Sequence, residues 1–281
     1  MLVTLNEVLK DAQKNKYGVG LFNTINLEMA KGVIEAAEET KSPVIIGPAE
    51  VLLPYADLDD LANFLVPMAK KASVPVVLHF DHGMTPEVTV KALSLGFSSI
   101  MYDCSTSSFN ENVEKCRNMK KIAKAFGASI EAELGHVGSN SSDAVEADGH
   151  NSIYTEPSQA KKFVELTDVD ALAVAIGTAH GAYKSKPKLD IGILKEISST
   201  IDTPLVLHGG SGLSDEDFKN CINNGISKIN VFTDLNCAAA KAAANSYKEG
   251  SGMTDLMGNM VKAVKDATIE KMNIFGCVNK A

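Results

Sequence analysis

Short apolar, β-branched runs alternate along the chain with stretches whose apolar positions recur at helical spacing. The runs fall at 17–23 (YGVGLFN), 43–47 (PVIIG), 75–79 (PVVLH), 99–103 (SIMYD), 129–134 (SIEAEL), 171–177 (ALAVAIG), 204–208 (PLVLH) and 228–232 (KINVF). Each is followed by an amphipathic segment, such as LEMAKGVIEAAEET after the first and SDEDFKNCINNG after the seventh, and a last helix is expected near 254–273. Strands that alternate with helices predict a parallel sheet. Eight such units in 281 residues predict a closed (β/α)8 TIM barrel, read as a single domain over 1–281. An open doubly wound sheet is the alternative. It usually has a glycine-rich turn after its first strand, and GLFNTINLE is not one.

Local signals agree with this frame. Thr85-Pro86 and Glu156-Pro157 put proline near a first helical turn, where its missing N–H costs little. Gly96, Gly127 and Gly225 fall where helices should stop. The stretch 135–156 is long, polar and aperiodic, as expected of a binding loop or lid.

The formal net charge of −8 argues against nucleic acid and anionic membrane as partners. The five scattered cysteines read as reduced thiols, and the expected location is cytoplasmic. The N-terminal residues are not those of a signal peptide, and no apolar run is long enough to span a membrane. Arg117 is the only arginine. That bears on phosphate recognition, for which arginine is the usual bidentate choice.

In a barrel, reactive groups gather where strands give way to loops. Four of the six histidines fall at or near such ends: His79, His82, His180 and His208. Asp81, Asp103, Glu131, Glu133, Asn230, Thr233 and Asp234 accompany them. One strand-end histidine alone is more often a hydrogen-bonded structural residue, but several on one rim with carboxylates predict a metal site. Imidazole nitrogens suit zinc, and a catalytic zinc keeps three protein ligands and an open position. His82, His180 and His208 are the expected ligands, with His79 as a supporting residue. HGGSG (208–212) and NVFT (230–233) follow the seventh and eighth runs, a frequent phosphate site in this fold. Gly209, Gly210, Ser211, Asn230 and Thr233 are its candidate residues, and Gly181 adds a backbone donor. The alternative is that these glycines only turn a tight loop.

The ordered motifs LHFDHG, AELGHVG, AVAIGTAHG, LHGGSG and NVFTDL resemble the class II, metal-dependent fructose-bisphosphate and tagatose-bisphosphate aldolases over nearly the whole chain. The resemblance implies zinc on His82, His180 and His208, with Asp81 exchanging a proton with the C4 hydroxyl of the sugar. Asp81 and Asn230 become the catalytic candidates. Asp103 and Glu133 match a second metal position of some members, and a monovalent cation is another candidate. Gly181, Gly209, Gly210, Ser211, Asn230, Val231, Phe232 and Thr233 match the cradle for dihydroxyacetone phosphate, and Asn23 lies near substrate. A homo-oligomer, dimer or tetramer, is implied.

The expected substrate is a small phosphorylated sugar, foremost fructose 1,6-bisphosphate. Tagatose bisphosphate or another ketose phosphate is the alternative, and a metal-dependent barrel hydrolase the distant one. A Schiff-base mechanism is disfavoured, because Lys228 is read as standing at the start of its strand, away from the reactive end. Three departures concern the substrate. The lid has Asp143 as its nearest acid, IIGPAEV lacks the serine many relatives carry, and a second phosphate would have to use lysines such as Lys184. The alternative for Lys184 is a solvated surface residue, the more usual fate of a lysine. These gaps suggest a ketose carrying a single phosphate.

Overall fold

The computed structural model describes residues 1–135, 137, 154–179 and 187–281. Of the sequence candidates, Asp143, His180, Gly181 and Lys184 lie outside the described residues.

Among the described residues, nine strands form one parallel sheet: β1 Leu2–Val3, β2 Val19–Asn23, β3 Val44–Gly47, β4 Val76–Gly83, β5 Ser99–Tyr102, β6 Ser129–Leu134, β7 Ala171–Val174, β8 Leu205–Leu207 and β9 Ile226–Val231. The pairings run β4-β3-β2-β9-β8-β7-β6-β5, and β5 pairs back onto β4. The last pairing closes β2–β9 into an eight-stranded ring, the expected barrel. β1 is an extra strand laid beside β4.

The strands read as near-continuous apolar runs because both faces are covered. Alternate residues fill the barrel interior, and the rest meet the surrounding helices. These are α2 Leu27–Thr40, α3 Leu58–Lys71, α4 Pro86–Ser94, α5 Phe109–Ala125, α6 Pro157–Thr167, α7 Ile191–Thr200, α8 Asp215–Asn223 and α9 Thr233–Ser246. Helix starts follow from capping chemistry. Ser108 and Ser214 each form a reciprocal box with the acid three residues on, and Pro86 and Pro157 open α4 and α6. Gly96, Gly127 and Gly225 all have positive φ past helix ends, as expected.

Two helices stand outside the eightfold alternation. The last, α10 Met253–Phe275, matches the expected closing helix and packs on α2 and α9. The first, α1 Leu5–Asn15, was not expected. It buries Leu5, Val8, Leu9 and Ala12 against β2, β6 and β9, and the Leu5 N–H donates to Ser129 Oγ at 2.9 Å. It thus closes the end of the barrel where the strands begin.

Two strand boundaries differ from expectation in ways that matter for the site. β4 runs on through His82 to Gly83 instead of ending at residue 79. Its pairing with β5 shifts register between Phe80 and Gly83, and His82 has φ +45. β9 begins at Ile226, two residues earlier than expected, so Lys228 lies within the strand and not at its start.

Candidate active site

The site forms at the C-terminal ends of the strands. Period-two alternation puts His79 and Asp81 on one face of β4, with Phe80 on the other. By itself this would turn His82 away from the barrel mouth. The register shift and the left-handed backbone at His82 re-aim its ring, so two consecutive residues serve one centre. A non-glycine residue in this region costs about 1–3 kcal/mol and persists only where its surroundings enforce it. Here they do. The Asp81 N–H donates to Pro48 O at 2.9 Å, pinning β4 beside the end of β3.

His82 Nε2 and His208 Nδ1 stand 2.8 Å apart. The far nitrogen of each ring meets a carboxylate, His82 Nδ1 to Asp103 Oδ2 at 3.0 Å and His208 Nε2 to Glu131 Oε1 at 2.8 Å. A carboxylate only accepts, so each imidazole donates there and turns a lone pair toward the other ring. This arrangement orients metal-ligating histidines and raises their basicity. Either a proton held between the two rings or a metal cation bound by both satisfies the facing nitrogens.

The local field also attracts positive charge. Burial would lower the His82 imidazole, but Asp81, Asp103 and Glu133 outweigh it and lift the ring to about 9. Glu133 is fully buried. One of its oxygens accepts from Val137 N at 3.1 Å, and Oε2 has no hydrogen-bond partner among the described residues. Burial, with Asp103 beside it, pushes Glu133 up to about 8. Asp81, His82 and His208 converge closely enough to share an ion, as do His82, Asp103 and Glu133. The donor set therefore fits a divalent metal.

Asp81 is held between two amides. Asn23 Nδ2 donates to its Oδ2 and Asn230 Nδ2 to its Oδ1, both at 3.0 Å. Burial alone would raise this carboxyl, but the charges of His82, Lys228 and His208 prevail and keep it well below the usual range.

Lys228 requires a correction. Two residues before Asn230, it shares that residue's inward face, and its Nζ donates to Asn230 Oδ1 at 2.7 Å. It also pairs with Glu131 Oε2 at 2.9 Å, both side chains fully buried. Glu131 is thus bound to both His208 and Lys228, a link the sequence reading missed. Period two was the available signal, since 131 and 133 share a face, as do 228 and 230. Lys228 does not line the cavity, so it is not placed to attack a carbonyl. His79 matches its expected supporting place: Nδ1 meets Ser99 Oγ at 2.7 Å, and burial lowers the ring to about 3, keeping it neutral.

Above this network lies a cavity of about 470 Å³, lined by Asn23, Asp81, His82, Asp103, Gly209, Gly210, Ser211, Asn230, Phe232 and Thr233, with Ala49, Val51, Leu52 and Met84. The loop after β8 passes so close to Ala179 that a Cβ on Gly209, where φ is +65, would sit 2.4 Å from the Ala179 carbonyl oxygen. His208 and Glu133 lie buried without lining the cavity, and two further expected residues point elsewhere. Val231 is fully buried in the hydrophobic core, pointing opposite to Asn230. Asp234 lies in α9 and pairs with Lys271 at 2.9 Å.

A parallel barrel with paired imidazoles, supporting carboxylates and a glycine loop at its C-terminal rim defines a metal-site enzyme of the (β/α)8 class. Comparison with known proteins narrows this. The family model of class II fructose-bisphosphate aldolase matches residues 3–280, and the chain belongs to that family of carbon–carbon lyases. The chain is 41% identical over 281 residues to the YdjI protein of Escherichia coli K12, with 100% of each chain covered. It is 38% identical over 307 residues to a fructose-bisphosphate aldolase of Thermus caldophilus, again with 100% of both covered. The crystal structure of the E. coli YdjI aldolase superposes with a TM-score of 0.90 at 39% identity over 100% of both chains. The enzyme is therefore an aldolase of a metal-dependent family that acts on phosphorylated sugars. Among the described residues, no helix is long and apolar enough to cross a membrane.

Proposed function

We propose that this aldolase is zinc-dependent and reversibly cleaves the C3–C4 bond of a ketose phosphorylated on C1, giving dihydroxyacetone phosphate and an aldehyde. The facing nitrogens of His82 and His208, each ring backed by a carboxylate, carry this reading. His180 completes the proposed ligand set. When bound there, the ion supplies Lewis-acid stabilisation of the negative charge that develops beside the C2 carbonyl.

The protein's own part is proton transfer and positioning. Asp81, ionised and fixed by Asn23 and Asn230, takes the C4 hydroxyl proton as the C3–C4 electron pair moves to C3 and C4 becomes a carbonyl. In condensation it returns that proton. Lys228 holds the Asn230 amide with its oxygen toward the ammonium, which leaves the NH2 group for Asp81. The C1 phosphate is assigned to Gly209, Gly210, Ser211 and the segment Asn230–Thr233 at the start of α9, where backbone N–H groups favour an anion. Its binding energy holds the reacting carbons over Asp81. Asp103 and Glu133 stay as candidates for a second cation. A cytoplasmic homo-oligomer, dimer or tetramer, accompanies the reading.

Fructose 1,6-bisphosphate, tagatose 1,6-bisphosphate and ketose 1-phosphates share the half of the molecule that this chemistry uses. Release of dihydroxyacetone phosphate from them, followed by a coupled NADH assay, tests the proposal. Activity should be lost on chelation, return with zinc, and survive borohydride added with substrate. Release of inorganic phosphate without dihydroxyacetone phosphate would favour a hydrolase, and inactivation by borohydride a Schiff base.

A further inference from the structure

The cavity has two unlike ends. One is the polar, glycine-rich side assigned above to the C1 phosphate. The other is built by the link after β3, including the short 3-10 turn Glu50–Leu52, and by the link from β4 to α4. These bring Ala49, Val51, Leu52 and Met84 to the wall. Val51 and Met84 remain 59% and 52% exposed. Large apolar side chains left open beside a cavity have most to gain from covering an apolar or uncharged group.

This wall is held in place by Glu50. Its carboxylate accepts from Met84 N at 2.6 Å and Thr85 N at 3.0 Å, and from the Thr85 hydroxyl, which ties the two links together and fixes the residue that precedes α4. The apolar surface is therefore set before substrate arrives, and the fixed charge beside it is negative. Among the described residues, no lysine or arginine lines the cavity. The single arginine, Arg117, is exposed on α5. A phosphate dianion against this wall would give up hydration, and among the described residues the wall supplies no charged partner to replace it.

Resting on the aldolase reading, we propose that the substrates are ketose 1-phosphates with no phosphate at the distal end, and that Val51, Leu52 and Met84 determine this specificity. The reaction balances as ketose 1-phosphate giving dihydroxyacetone phosphate and an uncharged aldehyde. The C3–C4 electron pair goes to C3, which is then protonated, and the O4 proton leaves to Asp81.

The test is kcat/KM of the zinc-loaded enzyme on fructose 1-phosphate and tagatose 1-phosphate against the matching 1,6-bisphosphates, repeated for Met84→Arg and, separately, Val51→Arg. The wild type should prefer the better monophosphate by at least about tenfold, as expected when a buried charge lacks a partner. Either arginine should shift the ratio toward the bisphosphate by at least about tenfold, through KM more than kcat. A wild-type preference for a bisphosphate overturns the inference while leaving the aldolase reading intact, as do ratios unmoved by both folded variants. Release of no dihydroxyacetone phosphate from any of the four sugars defeats the aldolase reading itself, and this inference with it.

Discussion

The buried Lys228–Glu131 pair offers a quantitative test of how the interior holds the site. Both side chains are fully buried and 2.9 Å apart, so solvent screening is slight. Lys228→Met removes the ammonium and strands the Glu131 charge, leaving it only the His208 N–H at 2.8 Å. Breaking a buried pair in this way costs about 3–5 kcal/mol. At about 2–4 °C per kcal/mol for a large domain, the midpoint should fall by roughly 6–20 °C. Glu131→Gln keeps an acceptor for His208 but leaves the ammonium with Asn230 Oδ1 alone, and its cost should be similar. The double variant removes both members of the pair together, so its loss should be smaller than the sum of the singles by roughly 2–3 kcal/mol. Urea unfolding followed by fluorescence and circular dichroism gives these energies, provided the two probes coincide. Losses that add within about 0.5 kcal/mol would refute the claim that these residues neutralise each other.

Other parts of the fold carry their own tests. Gly32→Ala on an exposed helix would stabilise by about 1 kcal/mol, but here the new Cβ would lie 2.7 Å from Val261 O and 2.8 Å from Val264 Cβ, where α10 crosses α2. The substitution should therefore destabilise, by about 1–3 kcal/mol in urea, and a gain in stability would contradict that packing. Of the five cysteines, Cys237 is exposed, while Cys104, Cys116, Cys221 and Cys277 are buried, and burial pushes the Cys221 thiol up to about 12 and that of Cys277 to about 11. An aromatic disulfide reagent at neutral pH should titrate one fast thiol in the native enzyme and five after unfolding; two or more fast thiols would contradict the burial.

The barrel is legible in the sequence because strands covered on both faces must be apolar throughout, and the helices between them keep their own period. The reactive rim is legible for a related reason. Asp81, His82, His208 and Asn230 are polar residues in or just beyond such runs, where a merely structural strand has no use for them. Less visible are the features set by contacts across the ring. α1 carries its buried residues Leu5, Val8, Leu9 and Ala12 at helical spacing, yet the polar residues between them mask a helix that closes a barrel end. The turn of His82 toward the rim follows from a register shift between two strands, which no local pattern announces. The apolar run at 228–232 puts Lys228 at a strand start, because Ser227 breaks the run before it. Once the strand begins at Ile226, the alternation that points Asn230 inward points Lys228 inward too, and Val231 into the core.

The central claim is that His82 and His208 turn their facing nitrogens to one divalent ion. The most direct measurement is an anomalous difference map at the zinc edge from crystals of the zinc-loaded enzyme. A single strong peak is predicted about 2.0–2.1 Å from both His82 Nε2 and His208 Nδ1. A peak elsewhere, or rings swung apart with the metal bound, would contradict the account.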